Sequence, residues 1–364
     1  MDRRKFFIGG SAAGLLAFSG RIHAATDWLD LPARLSSRAS SRLMLALAKD
    51  SGATGQTLLA AGQRGIALFS EDGGQVWQQA VTPVYVTLTA LFAREGRAYA
   101  AGHDGIILKS LNGGRTWVRL LDGRDGNALT LAAANRRLKL SRQDENARQA
   151  FDDIRSTLEF GPANPLFGIA ARINGGRETI ITVGAFGQVF RSHNGGAQWE
   201  SLLDRFDNAD NLHHNSITLT RTGEWVITSE AGRIYVSVDD GDSWRRVETG
   251  YNGALFGAVE GPAEMATLWV HGFAGSLFLS QDRGFSWHPL PGLGRQPLVG
   301  SALSASGRVA IVSLNGIVHV ADGERWYILK DKMAGLASAI CSSGENWIVA
   351  GNKGVQRLSG EPQS

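Results

Sequence analysis

Hydrophobic positions in this chain fall in short runs, each bounded by a glycine-bearing turn, rather than in helical stripes. Residues 58–61 and 66–69 are one such pair, apolar on both sides of Gly62-Gln63-Arg64-Gly65. That pattern predicts two antiparallel strands joined by a tight turn. The turn returns at Gly102-His103-Asp104-Gly105, Gly184-Ala185-Phe186-Gly187, Glu230-Ala231-Gly232, Gly272-Phe273-Ala274-Gly275, Asn315-Gly316 and Gly351-Asn352-Lys353-Gly354, which makes seven. Paired glycines also suit a phosphate cradle, but a cradle leads into a helix and each of these turns leads into another strand.

A second signal follows the turns at a fixed distance. Ser70, Asp72, Gly74 and Trp77 recur as Ser110, Asn112, Gly114 and Trp117, as Ser192, Asn194, Gly196 and Trp199, as Ser237, Asp239, Gly241 and Trp244, and as Ser280, Asp282, Gly284 and Trp287. A shortened copy, Asp322-Gly323-Glu324-Arg325-Trp326, comes next. Each position has a job in a hairpin. The Asp or Asn oxygen accepts backbone N–H bonds across its own turn, Gly supplies positive φ, Ser adds a local bond, and Trp lays a large ring over the neighbouring strands. This Ser-x-Asp/Asn-x-Gly-x-x-Trp unit resembles the Asp-box, or BNR repeat.

Spacing between the tryptophans gives the size of the unit: 40 residues from Trp77 to Trp117, 45 from Trp199 to Trp244, 43 to Trp287 and 39 to Trp326. Units of that length with four short strands are propeller blades. The interval from Trp117 to Trp199 is 82, one blade plus an insertion. Within it Ala147, Ala150, Phe151, Ile154 and Leu158 stand at helical spacing, so 122–165 is read as a helical insertion between blades 2 and 3. The expected fold is therefore all-β, a seven-bladed β-propeller over 28–364 with one helical insertion. The last repeat, 347–358, ends without a box, and residues near the amino terminus are expected to supply its missing strand and close the ring.

The first residues change the charge picture. Arg3 and Arg4 precede Lys5 and Phe6, residues 8–18 are apolar and small, and Ala24 is a plausible cleavage residue, which reads as a twin-arginine-type signal peptide over 1–24. Its loss takes Lys+Arg from 37 to 33 and Asp+Glu from 34 to 33, so the mature chain is near neutral and a nucleic-acid partner is not expected. The expected location is the periplasm, or the thylakoid lumen in a phototrophic host. A single cysteine, Cys341, excludes an internal disulfide and reads as a small buried hydrophobe.

Repeated boxes in blades of this length, with a Gly-x-x-Gly-x-Ile/Val turn ahead of them, resemble the photosystem II stability and assembly factor family over nearly the whole mature chain. The resemblance implies a propeller without a cofactor that binds membrane proteins during assembly, while related bacterial members are connected with export systems. The insertion and the twin-arginine start stand apart from the photosynthetic pattern. In such a blade the boxes lie on one face, and the Gly-x-x-Gly turns and inter-blade links lie on the other. That places Arg64, His103, Asp104, Phe186, Glu230, Phe273 and Lys353 of the turns with Tyr85, His213, His214, Tyr251 and Arg295 of the links on a partner-binding face. The expected partner is a membrane-associated protein or complex, and the basic cluster Arg136, Arg137, Lys139 and Arg142, followed by Asp144, Glu145, Asp152 and Asp153, reads as a solvated helix surface first and as a partner or anionic-lipid contact second. His213 and His214 invite a metal, but side chains of consecutive residues diverge and nothing nearby completes a ligand set. The alternative is a sialidase-type glycoside hydrolase or glycan-binding propeller, in which Asp104 and Glu230 would face each other across the funnel as paired carboxylates.

Overall fold

The computed structural model describes residues 27–50, 57–140, 145–159, 161–322, 325–329 and 332–362. The signal-peptide segment, Arg142, and Gly323 and Glu324 of the short box lie outside the described residues.

Seven antiparallel sheets follow one another along the chain as blades at 44–79, 88–121, 166–201, 214–248, 255–290, 298–328 and 337–358. Blade 2 is representative, with strands Leu88–Arg94, Arg97–Gly102, Ile107–Ser110 and Val118–Leu121 in spatial order. Strand 1 of each blade packs on strand 1 of the next, and strand 1 of blade 7 packs on that of blade 1, so the first strands surround a central axis and the ring closes.

Position in the blade explains the hydrophobic pattern. The middle strands are covered on both faces by neighbouring blades, and strands such as Trp225–Ser229 and Val309–Ser313 are buried throughout. A strand buried on two faces reads as a continuous apolar run. Strand 1 has one face on the neighbouring blade, and Met44–Lys49 alternates buried and half-buried positions. Strand 4 forms the outer rim, where Arg245–Glu248 buries only Val247. The core is accordingly a series of seams between adjacent blades. Trp225 is fully buried between blades 3 and 4, Trp347 between blades 6 and 7, and Trp117 lies in the seam of blades 1 and 2.

Blade 7 differs from the expectation. It has three strands, and no strand from the amino-terminal segment joins it among the described residues. Residues 27–41 instead fold into two single 3-10 turns, Trp28–Asp30 and Ala39–Ser41, whose hydrogen bonds go elsewhere. Asp27 caps the Leu29 N–H at 3.0 Å, Ala33 N–H donates to Thr82 O at 3.2 Å, and Gln79 of blade 1 brackets the segment through Ser36 N–H and Arg34 O. With those groups engaged at blade 1, the segment has no free ladder to offer blade 7. Closure rests on side chains: Leu58 packs with Cys341 and Ile348, Met44 with Ala350, and Ser343 Oγ donates to Gly73 O at 2.9 Å. Burial pushes the Cys341 thiol up to about 12, as suits a packing residue.

Two helices fill the gap between blades 2 and 3: α1 (Gly123–Leu140) and α2 (Glu145–Leu158). Asp122 starts α1, its Oδ1 accepting the Arg124 N–H at 3.0 Å. Spacing at 147–158 pointed to α2, whereas Gly123 and Gly126 make the start of α1 read as a turn. Both glycines are there for close approach. A Cβ on Gly123 would lie 2.7 Å from Asp104 O, and one on Gly126 would lie 3.3 Å from the Phe190 ring. Ala133, Ala134, Phe151 and Ile154 of the hairpin pack on Leu203, in the link after blade 3. Arg136, read from sequence as part of a solvated basic surface, pins α1 to that link through Asp204 at 2.9 Å and Ser201 O at 3.0 Å.

Candidate functional site

The boxes close one face of the ring on itself. In all five, the Ser Oγ donates to the Asp or Asn Oδ1 (2.8–3.0 Å) and accepts the N–H of the box Gly (2.8–2.9 Å). The same Oδ1 takes the N–H just before Trp (2.8–3.0 Å), and the indole N–H donates back to the Gly carbonyl (2.9–3.2 Å). The Ser, Asp or Asn and Trp side chains of the motif are thereby engaged within the turn. Hydrogen bonds from Val76 and Ser70 hold the Asp72 carboxyl below its ordinary value of 3.8.

The opposite face carries the turns between strands 2 and 3, the inter-blade links and the hairpin. In five blades the two central residues of this turn are both left-handed: Arg64 and Gly65, Asp104 and Gly105, Phe186 and Gly187, Ala231 and Gly232, Ala274 and Gly275. That handedness matches the twist of a two-residue hairpin, but for residues with a Cβ it costs about 1–2 kcal/mol each. The first glycine of the turn answers a different need. At Gly62, Gly102, Gly184, Gly272 and Gly351 an added Cβ would fall 1.9–2.4 Å from a carbonyl oxygen just before strand 1 of the same blade. Strand 1 is pressed there because each blade bulges at that point. Leu45, Thr89, Phe167, Asn215, Phe256, Val299 and Ser338 each lie where the register slips by one residue. All seven are half-buried, a ring at the turn end of the axis. The bulges re-aim strand 1, and no residue type in that ring repeats strongly enough to announce it in sequence.

The residues expected on this face separate into groups. Trp28 and Tyr85 stack with centroids 5.5 Å apart, and the guanidiniums of Arg34 and Arg64 stand 5.9 and 6.0 Å from the Tyr85 ring. With Leu31, Pro32 and Ala33 they line a hollow of about 630 Å³. Among the described residues neither guanidinium has a carboxylate partner, in contrast to Arg124, which engages Asp30 and Asp122 nearby. Trp28 and Arg34, outside the turn pattern, carried no repeat signal. A second group lies at blade 3. Phe186 is half exposed, its N–H donates to His213 Nδ1 at 2.9 Å, and its ring meets the imidazole edge-on at 4.9 Å. Phe273 is exposed in blade 5, where its carbonyl accepts the Tyr251 hydroxyl at 2.9 Å. His103, Arg295 and Lys353 are exposed.

His214 is not part of this face. It is fully buried between Phe206 and Tyr235, and burial lowers its pKa from 6.5 to about 3. The side chains of His213 and His214 diverge because consecutive strand residues point to opposite sides. The charges acting on Asp104 are those of His103 and Asp27 and not that of Glu230, whose Oε2 accepts the His213 N–H at 2.9 Å. Burial raises the Asp104 carboxyl, His103 pulls it back and Asp27 adds to the rise.

No protein-family model and no curated relative matches the sequence. Solved structures match by shape. One of YCF48 bound to D1 peptide aligns with a TM-score of 0.60 at 15% identity, over 92% of this chain and 98% of that one. YCF48 from Cyanidioschyzon merolae aligns with 0.60 at 14% identity, over 90% and 98%. The WD40 β-propeller domain of Doa1 aligns with 0.58 at 8% identity, over 91% and 95%. At such identities the likeness is one of fold, and the fold is a seven-bladed propeller like that of YCF48, with a helical insertion.

Proposed function

We propose that this chain is an exported periplasmic scaffold that holds a segment of a membrane-associated protein or complex against its turn face. The observation that carries the reading is the gathering of the stacked Trp28 and Tyr85 rings with the guanidiniums of Arg34 and Arg64, which have no carboxylate partner among the described residues, in one hollow on the face opposite the boxes. Aromatic and arginine side chains dominate protein interfaces. The likeness to a propeller solved with a bound peptide supports the same use. The arginine pair at the start supports export, and a near-neutral mature chain supports a protein partner over nucleic acid. Assembly of a membrane complex, as the photosystem II factor resemblance implies, belongs to this class of task.

The test is a crosslinking capture from the cell envelope with the wild-type mature chain and with Arg64→Glu/Tyr85→Ala. Substitution is preferable to deleting 122–165, because the hairpin covers Leu203. A membrane complex recovered by the wild type and at least tenfold depleted with the variant is the expected result. Equal recovery by both would remove the surface; recovery of no protein, with binding on a glycan array, would turn the reading to carbohydrate.

A further inference from the structure

Blade 7 lacks a fourth strand, although the chain beside the gap is in register for one. In blades 1, 4, 5 and 6 an added Cβ on the second turn glycine (Gly65, Gly232, Gly275, Gly316) would fall 2.0–2.6 Å from a carbonyl oxygen of the following link, that of Val84, Tyr251, Gly294 and Met333 respectively. Each of these lies four residues ahead of the next strand 1: Val84 before Leu88, Tyr251 before Leu255, Gly294 before Leu298 and Met333 before Ala337. In blade 7 a Cβ on Gly354 would fall 1.9 Å from Ser40 O, and Ser40 stands four residues before Met44. Residues 40–43 are therefore the link from blade 7 to blade 1. Strand 4 precedes such a link elsewhere, as Arg245–Glu248 precedes Tyr251. The corresponding residues here are 34–37, and Arg34 O and Ser36 N–H are bonded to Gln79 of blade 1 instead. The lane beside Gly354–Leu358 holds no strand among the described residues.

The backbone along that lane is open. Alternate residues of an antiparallel strand turn their N–H and C=O to each neighbour. Val355 pairs with Ala350 as Ala67 pairs with Ala61, and Arg357 pairs with Ile348 as Phe69 pairs with Leu59. Ala67 O accepts the N–H of Ala80, just past strand 4, at 2.9 Å, and Val189 O and Val318 O accept the equivalent N–H in blades 3 and 6 at 2.9 and 3.0 Å. Val355 and Arg357 thus face the lane, and neither has a backbone partner there among the described residues.

The side chains along it are basic. Arg357 is exposed where its counterparts Phe69, Val236 and Val320 are buried. With Lys49 of blade 1 it lines a hollow of about 380 Å³ that Asp72 and Glu345 also border. Those two carboxylates are committed, Asp72 to Val76 N–H and Ser70 of its box and Glu345 to Arg308. Lys49 and Arg357 have no carboxylate partner among the described residues, and exposed Arg38 and Arg42, either side of Ser40, have none either.

We infer that the outer edge of Gly354–Leu358 is a docking lane for an extended acidic segment of a partner polypeptide, which adds to blade 7 as its fourth strand. Main-chain bonds at Val355 and Arg357 seat the segment, and its carboxylates meet Arg357 and Lys49. A second copy of this chain would bring its own Arg357 and Lys49 to the same edge, like charge against like, and a charged edge is a device against self-pairing. Residues 34–37 are held at blade 1 and contain no acid. The tail after Leu358 turns to blade 6, where Pro362 bridges Leu329. The lane shares no residue with the Trp28–Tyr85 hollow and does not depend on its use.

The probe is acetyl-Thr-Glu-Val-Glu-Val-Glu-Thr-amide. Its controls are the same peptide with Lys for Glu, and one with every peptide nitrogen methylated, which keeps the carboxylates and cannot join a ladder. The readout is amide hydrogen exchange at Val355 and Arg357 in the purified mature chain. In the free chain both amides are expected to exchange about tenfold or more faster than that of Phe69, which faces strand 4 of blade 1. Millimolar Glu peptide is expected to slow both about tenfold, and neither control should. Arg357→Glu, a change at an exposed position, is expected to weaken the Glu peptide about tenfold. Val355 and Arg357 amides as slow as Phe69 in the free chain, no slowing by the Glu peptide, or equal slowing by either control would each overturn the proposal. Slowing that rises with protein concentration alone would do the same, by giving the lane to a second copy. Because the probes are synthetic, none of these outcomes depends on the envelope capture.

Discussion

The two faces of the ring treat the same backbone problem in opposite ways. Both turn families place non-glycine residues in the left-handed region, Asp240 and Arg283 in the boxes, and Arg64, Asp104, Phe186, Ala231 and Ala274 on the other side. In the boxes the strain has a visible return. Arg283 pairs with Glu224 at 3.0 Å, and Asp240 pairs with Arg172 at 2.7 Å and accepts the Trp225 indole N–H at 3.1 Å. On the turn face the Arg64 side chain makes no ion pair among the described residues, Phe186 engages His213 through its N–H and ring edge yet leaves half of its ring exposed, and Ala231 and Ala274 bring no polar side chain. Strain that is repaid inside the molecule builds it; strain that is not repaid inside points to a surface kept for something outside.

The sharpest way to break this division is Trp117→Ala. Trp117 is buried in the seam of blades 1 and 2, and its removal is expected to lower stability by about 3–5 kcal/mol, read by chemical denaturation, while partner capture per folded molecule stays unchanged. Loss of capture in the folded fraction would mean that the boxes also form the binding surface.

Acid should find the core before either face. Burial lowers His214 from 6.5 to about 3 and His271 from 6.5 to about 4. Both groups are neutral when folded and take a proton when unfolded, so their contribution is full above pH 6.5 and is lost as pH falls from there toward 3 to 4. Denaturation midpoints should decline across that window, and His271→Gln should flatten the decline. A midpoint level from pH 7 to 4 would show that neither imidazole is held neutral.

Ser237→Ala is a smaller probe of the box face. It removes the acceptor of the buried Gly241 N–H and is expected to cost about 1–2 kcal/mol, again without changing capture. Phe186→Gly reverses the sign. Glycine relieves the left-handed residue, so the midpoint should rise by an amount worth up to about 1 kcal/mol, whereas capture should weaken. A gain in stability with capture intact would make Phe186 a tolerated accident rather than a contact.

Much of the fold was legible because a repeat states each rule several times. Ser, Asp or Asn, Gly and Trp at fixed offsets fixed the hairpin chemistry, and the intervals between tryptophans set the blade. What escaped notice was whatever the repeat does not encode. α1 was hidden by Gly123 and Gly126, which serve packing but read as breakers. The three-stranded blade 7 was hidden because residues 27–41 spend their hydrogen bonds on blade 1. His214 was assigned to the surface because its neighbour belongs there, although strand alternation separates the two. The Trp28–Arg34 side of the hollow had no repeat signal, since that segment belongs to no blade.

The ring's closure also sets a timetable. Among the described residues blade 7 takes no strand from the amino-terminal segment, and blades 1 and 7 meet through a seam that joins Gly73 to Ser343, 270 residues apart. Until blade 7 exists, the flank of blade 1 that carries Met44, Leu58 and Ile66 has no neighbour to cover it. Early blades can zip locally, but the last contact is the most distant in sequence and therefore slow to form. A truncated or half-synthesised chain would be left with a sticky apolar edge, and the molecule would become safe from self-association only in its final step.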